Sequence, residues 1–286
     1  MLDSTGKLLE RLILTRLNDH LDSTGLRSPY QYGFRRGRST EDAIKRLLVT
    51  AQGVAQGAAR NRDLCVAVSL DVRNAFNTAP WRRIDAALRE KKVPSYLIRL
   101  IRSYFQDRSI LVGQTLLRRS TTCGVPQGSV LGPALWNTGT SLLELEMPQG
   151  VQLVAFVDDV CVLGISRNGE STATLINPVL EAVAEWMNTN GLQLAPAKTE
   201  AIVLTRKNLY NDPELIVEGH LIQAKQSMRY LGVELDTSLM FTKHVQQASS
   251  KASKSALTIE RLMPNVGGPS QCKRALLGTV ANSKIL

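Results

Sequence analysis

Two adjacent aspartates, Asp158 and Asp159, interrupt the apolar run Val151-Gln-Leu-Val-Ala-Phe-Val-Asp-Asp-Val-Cys-Val-Leu163. Charged side chains are rarely buried unless they are paired or bind metal. Two like charges among Phe156, Val157, Val160 and Val162 repel each other and lose hydration, and a divalent cation relieves both problems. An ordinary polar turn is the other reading, because Asp is a frequent turn residue. A third carboxylate closes a second apolar run, Leu64-Cys-Val-Ala-Val-Ser-Leu-Asp71. Taken alone, Asp71 reads as a strand-end or cap residue. As a sheet neighbour of the pair, it would complete a set of three. Three carboxylates could hold two Mg²⁺ ions about 3.5–4 Å apart, a geometry suited to phosphoryl transfer.

Short, rigid elements must position these acids. The two halves of the first run suit buried strands, with the Asp-Asp pair at the tight turn between them. The run ending at Asp71 suits a strand covered on both faces. Elsewhere, Leu9, Leu12, Ile13, Leu17 and Leu21 share one face of a predicted helix over 7–21. A loop at 31–39 precedes a helix at about 40–58 that Ser39-Thr-Glu-Asp42 could start. Further helices are predicted at 81–91, from Pro94 to about 106, at 129–145, at 171–189 with Gly191 as its cap, and at 240–262. Strands are expected around Gly113 within 109–123, and at 201–205, 214–218 and 229–235. Mixed helices and strands with a hairpin argue for an α+β fold.

The chain has 286 residues, 43% of them hydrophobic, and a net charge of +10. That length allows one large domain or two subdomains, and the charge suits nucleic acid or an anionic membrane. No run approaches the roughly 20 apolar residues that span a bilayer, so no membrane association is expected. Cys65, Cys123, Cys161 and Cys272 lack metal-ligand spacing and read as free thiols of an intracellular, reducing compartment.

Three segments in order, Ser69-Leu-Asp-Val-Arg-Asn-Ala-Phe-Asn77, Gly124-Val-Pro-Gln-Gly-Ser-Val-Leu-Gly132 and Phe156-Val-Asp-Asp159, resemble the polymerase motifs of reverse transcriptases. The closest resemblance is to the non-LTR (LINE-like) retrotransposon group. Gly6-Lys-Leu-Leu-Glu-Arg11, Gln31-Tyr-Gly-Phe-Arg-Arg-Gly-Arg-Ser-Thr40, Leu194-Ala-Pro-Ala-Lys-Thr-Glu200 and Tyr230-Leu-Gly-Val233 agree with it. Each segment is weak alone; their shared order and spacing carry the signal. The resemblance implies a right-hand polymerase with an antiparallel palm sheet packed on helices. Partial fingers would occupy 1–60, the palm with finger insertions 61–236, and the start of a thumb 237–286.

The resemblance also implies roles. Asp71, Asp158 and Asp159 would be the catalytic carboxylates and, with the Val72 carbonyl, would hold two Mg²⁺, with Mn²⁺ as a possible substitute. Phe76 resembles the steric gate that excludes a ribose 2′-hydroxyl; a core Phe is the plainer reading. Gln127 would hold the incoming nucleotide, and Lys198 would contact its phosphates. Arg35 and Arg36 would meet the triphosphate and Arg38 the template backbone. Tyr230, Leu231 and Gly232 resemble the hairpin that grips a primer end. The substrates implied are an RNA template, a DNA primer and dNTPs; protein partners are not readable. Nuclear residence follows from the family's chemistry at chromosomal DNA.

Val157 stands where the family more often has Ala, and a β-branched residue there would suit a strand. Five residues precede Gly6, where the family has a basic finger segment, and the thumb stops short, so the chain reads as truncated at both ends. A nucleic-acid-binding remnant without catalysis is therefore the second expectation. An RNA-dependent RNA polymerase or intron-encoded enzyme is a third, and Phe76 argues against ribonucleotide use.

Overall fold

The structure, a computed structural model, describes residues 4–55, 63–112, 117–126, 128–207, 209–260 and 270–283. The chain divides into two compact units, 1–225 and 226–286.

The first unit begins with α1 (Ser4–Ser23) and α2 (Thr40–Ala55). Glu10, Ile13, Leu17 and Leu21 form the buried stripe of α1. The predicted stripe is thus rotated, because Leu9 and Leu12 are more than half exposed (54% and 56%). A hydrogen-bonded role for Glu10 turns it inward. At the start of α2, Asp42 Oδ2 accepts from the Ser39 amide (2.7 Å) and hydroxyl (2.8 Å), while Ser39 Oγ accepts from the Asp42 amide. This reciprocal bonding confirms the start signal read at 39–42.

Strand β1 (Leu64–Leu70) follows, then α3 (Ala75–Thr78), α4 (Trp81–Glu90) and α5 (Ser95–Phe105). Strands β2 (Ser109–Val112) and β3 (Leu117–Ser120) pair as an antiparallel ribbon. Helix α6 (Gly132–Gly139) is shorter than the predicted 129–145. It starts where Ser129 Oγ accepts from the Gly132 amide (2.8 Å). It ends at Thr140, whose ψ of 83° is not helical, and Ser141–Glu144 form a separate 3₁₀ turn.

Strands β4 (Val151–Phe156) and β5 (Asp159–Ser166) are the expected hairpin. Helix α7 (Gly169–Thr189) is capped by Asn168 and closed by a turn in which Gly191 has φ +72°. Then come β6 (Glu200–Leu204), the small ribbon β7 (Leu215–Val217) and β8 (His220–Ile222), and β9 (Ala224–Lys225). The main sheet runs β4-β5-β1-β6-β9, all antiparallel except the β6–β9 pair.

Side chains alternate across a strand. Leu64, Val66, Val68 and Leu70 of β1 join the main core with Ile176, Val179, Leu180 and Val183 of α7. Gly164 of β5 lets Ile176 approach to 2.4 Å of where a Cβ would lie. Cys65 and Ala67 point to the other face, where Arg46 and Thr50 of α2 bond Gln152 of β4. A buried strand covered on both faces explains the continuous apolar run that ends at Asp71.

The second unit holds β10 (Ser227–Tyr230), β11 (Val233–Asp236), α8 (Thr242–Glu260) and α9 (Gln271–Asn282). The single strand predicted at 229–235 is a hairpin. Leu231 (φ +46°) and Gly232 (φ +89°) make its two-residue turn, the conformation that two-residue hairpin loops favour. Among the described residues no helix is long and apolar enough to cross a membrane. The four cysteines are free thiols; Cys65 and Cys161 are buried, and burial raises both thiol pKa values.

Candidate active site

The β1–β5 register pairs Leu70 with Val160. Continued by one residue, it sets Asp71 opposite Asp159, and opposed residues of an antiparallel pair share a face. Val157 and Asp158 form the turn between β4 and β5, since Phe156 pairs with Asp159. The register therefore puts the three acids at the same end of the sheet. They feel one another's charge. Burial among apolar neighbours, then Asp158, then Asp71 push the Asp159 carboxyl up to about 6. Burial and Asp71 raise Asp158 as well. Asp71 Oδ2 is buried and accepts no hydrogen bond among the described residues, with Lys198 Nζ 3.1 Å away.

A buried Asp71 oxygen with only an ammonium nearby, and raised carboxyls on Asp158 and Asp159, fit a cation-binding donor set. Among the described residues, however, no three acidic, His or Cys side chains already converge at metal-ligand distance.

Val72 lies in a bridge with Leu194, flanked by Arg73 N–H to Gln193 O and Ala195 N–H to Asp71 O, each 2.8 Å. In such a non-hydrogen-bonded pair, the C=O of Val72 points away from Leu194. That is the β5 side of β1, where the acids lie. Lys198 ends a 3₁₀ turn, Pro196–Lys198, and its side chain is 73% exposed.

The Val157 expectation is overturned. It is no strand residue but the first residue of the turn, at φ +64°. A left-handed conformation is costly for a β-branched residue. Several contacts hold it there. Gln31 Oε1 accepts from the Val157 amide (2.9 Å), and Trp136 Nε1 donates to the Val157 carbonyl (3.2 Å). Gly33 packs so closely that an added Cβ would lie 2.2 Å from Val157 Cγ2. Gln31 was legible only as part of a motif, without a role; its burial and its partner, 126 residues away in the chain, are tertiary facts.

Phe76 lies between two rings, stacked on Trp136 (5.6 Å between centroids) and edge-on to Phe34 (6.3 Å). Phe76 packs on the core, as its plainer reading has it, and its edge neighbour Phe34 is 56% exposed. The Gly124-Val-Pro loop is tied to the same helix, because the Val125 amide donates to Phe76 O (2.7 Å) and Gly124 has φ +88° against Asn77. Gln127 lies outside the described residues.

Just beyond that loop, Glu10 is 3% exposed, and its Oε2 accepts from Ser129 Oγ and from the Val130 and Leu131 amides. This carboxylate ties α1 to the entrance of α6. Sequence reasoning missed it, because a lone Glu on a helix reads as solvated.

The arginines are not equivalent. Arg35 donates to the carbonyls of Ser28 and Gln31, and burial followed by repulsion from Arg38 and Arg27 lowers its pKa. Arg38 bonds the Pro29 carbonyl and lies over the Tyr32 ring (4.8 Å). Arg36 is exposed. Tyr230 is 1% exposed, so the Tyr230-Leu231-Gly232 segment offers its turn backbone rather than the Tyr ring.

A largely antiparallel sheet that sets a strand-end aspartate beside a hairpin bearing Asp158 in its turn and Asp159 just after it, with helices packed on the sheet, is the architecture of the right-hand polymerases. The chain belongs to the reverse transcriptase (RNA-dependent DNA polymerase) family, whose profile matches residues 1–235. It is 30% identical over 261 residues to a probable RNA-directed DNA polymerase from transposon BS of Drosophila melanogaster, covering 88% of this chain and 28% of that protein. It is 28% identical to the RNA-directed DNA polymerase from mobile element jockey of the same fly, covering 86% and 27%. A Pol polyprotein from the type-1 retrotransposable element R1 of Bradysia coprophila is 28% identical, over 85% and 24%. These relatives set it in the non-LTR retrotransposon branch. The chain spans little more than a quarter of the length of the first two.

Among solved structures, telomerase from Candida tropicalis in complex with a fragment of telomeric RNA superposes with a TM-score of 0.55 at 12% identity, covering 96% of this chain and 45% of that one. The apo telomerase of the same species gives 0.53 at 13%, covering 81% and 39%. These likenesses bear on the fold alone. Reverse transcriptases generally use divalent metal ions.

Proposed function

We propose that this chain extends the 3′-hydroxyl of a DNA primer with dNTPs on an RNA template, as the polymerase domain of a retrotransposon protein. The observation that carries the reading is the register that continues Asp71 onto Asp159, beside Asp158 at the hairpin turn. Asp71, Asp158 and Asp159, with the Val72 carbonyl, would hold two Mg²⁺ ions, or Mn²⁺ in their place. When bound, such ions lower the pKa of the attacking hydroxyl and neutralise the triphosphate and the leaving pyrophosphate.

The protein's own groups supply position, charge and one proton. Lys198, exposed and 3.1 Å from Asp71, can swing to the triphosphate and give its proton to the departing pyrophosphate. Phe76 sets an aromatic edge where a ribose 2′-hydroxyl would sit and offers it no hydrogen bond. Gln127 would contact the incoming nucleotide. Arg36 is the basic residue of its loop most open to phosphate, while Arg35 and Arg38 brace the loop and add positive potential. The Tyr230-Leu231-Gly232 turn would carry the primer end through its backbone. Work on chromosomal DNA would require nuclear residence.

The test is primer extension on a primed RNA template with dNTPs and Mg²⁺, beside an Asp158→Asn, Asp159→Asn double variant. Extension lost in the variant supports the reading. Primer–template binding without extension by the parent chain would replace it with a binding remnant.

A further inference from the structure

The Val157-Asp158 turn has an internal conflict. Val157 is held at φ +64°, a left-handed conformation that disfavours β-branched side chains, immediately before Asp158. Unaided, the turn would relax and carry Asp158 with it. Trp136 opposes relaxation through its bond to the Val157 carbonyl, and the other contacts that do so come from one distant segment. Ala155 N–H donates to Tyr30 O (2.9 Å), and Tyr32 N–H donates to Ala155 O (2.8 Å). These bonds and the Gln31–Ala155 bridge lay residues 30–32 along the free edge of β4.

At the end of this added strand stands Gln31, 7% exposed. Its Oε1 accepts from the amides of Val157 and Gly33, each at 2.9 Å, and its Nε2 faces the Val157 carbonyl at 3.4 Å. Gly33 has no Cβ, so its backbone can lie against Val157, and Asn137 Nδ2 fastens the Gly33 carbonyl (2.7 Å). One buried amide thus reads both backbone groups of the strained residue.

We infer that Gln31 is a positioning residue: it clamps the left-handed Val157 turn and so fixes the Asp158 carboxylate relative to Asp71. The inference rests on the polymerase reading of the three aspartates. It distinguishes Gln31 from a merely structural amide, because the strain it opposes sits one residue from the reacting centre. A misplacement of about 1 Å there costs about 100-fold in rate.

The test compares the parent chain, Gln31→Met, Val157→Gly and the double variant. Methionine keeps the length of the side chain and removes its hydrogen bonds. Glycine accepts positive φ without strain. Expected for Gln31→Met is a fall in single-turnover extension of about 10- to 100-fold, with primer–template affinity held within about twofold. Amide hydrogen exchange at Val157 should quicken at least tenfold while β1 stays protected. Adding Val157→Gly to Gln31→Met should restore most of the rate, which a loss of global stability would not explain. Unchanged Val157 exchange in Gln31→Met, or a rate that glycine fails to restore, would overturn the clamp. A parent chain without extension would defeat the polymerase reading, and Val157 exchange would still decide the clamp.

Discussion

Lys198 Nζ lies 3.1 Å from the Oδ2 of Asp71, an ammonium brought by a 3₁₀ turn to a carboxylate at the end of a buried strand. The lysine side chain is 73% exposed, so the pair is readily broken when phosphates compete for it. Replacing Lys198 with Ala should lower single-turnover extension by about 10²-fold, the usual weight of a positioned general acid. Primer–template affinity, measured by filter binding, should change little. Equal rates for the two proteins would remove Lys198 from the chemistry.

The three acids should be far less replaceable. Asp71→Asn or the Asp158→Asn, Asp159→Asn double change should reduce extension by about 10³-fold or more, because the divalent-ion contribution to such reactions is several kcal/mol. Folding should survive, since like-charge repulsion is relieved. Thermal melting and extension assays on the same preparations separate the two effects.

The raised carboxyls give a pH signature. Asp159 is pushed up to about 6, above the ordinary Asp value, so between those two values the folded chain binds a proton that the unfolded chain does not. Stability without divalent ions should therefore fall as pH rises through about 6 and gain as pH drops toward 5. Added Mg²⁺ should flatten that slope, because the cation replaces the proton. Melting temperatures from pH 5 to pH 7.5, with chelator and with Mg²⁺, measure this; a slope of opposite sign in chelator would refute the raised Asp159.

Phe76 touches Trp136 on one side and Phe34 on the other, and its carbonyl holds the Val125 amide. Phe76→Val should admit ribonucleotides, read as a rise in rNTP over dNTP incorporation. Losing the aromatic pairs should also cost about 1–2 kcal/mol in denaturant unfolding. Unaltered sugar selection with the stability loss would leave Phe76 as a packing residue only.

Glu10 joins α1 to the entrance of α6. Glu10→Ala would strand the Val130 and Leu131 amides without their acceptor, and should destabilise the first unit by about 1–3 kcal/mol. Chemical denaturation would detect this as a lower midpoint. An unchanged midpoint would mean that water replaces the carboxylate.

Local chemistry made much of this protein legible. The apolar run to Asp71 and the Asp-Asp interruption required a covered strand and a buried hairpin, because only those elements hide such runs while exposing their ends. Ser39 with Asp42, and Gly191, marked helix ends through bonds made within a few residues. What the sequence could not decide were distances between segments far apart in the chain. The α1 stripe turned because Glu10 finds its donors at 129–131. The predicted helix at 129–145 broke where Thr140 leaves the helical range. Val157 reads as a strand residue by its side chain, and becomes a left-handed turn residue only because Gln31, Gly33 and Trp136 are brought to it by the tertiary fold. The residues that could do chemistry were written in the sequence; their mutual placement, and the strain that placement imposes, belongs to the packing of segments that local propensity does not encode.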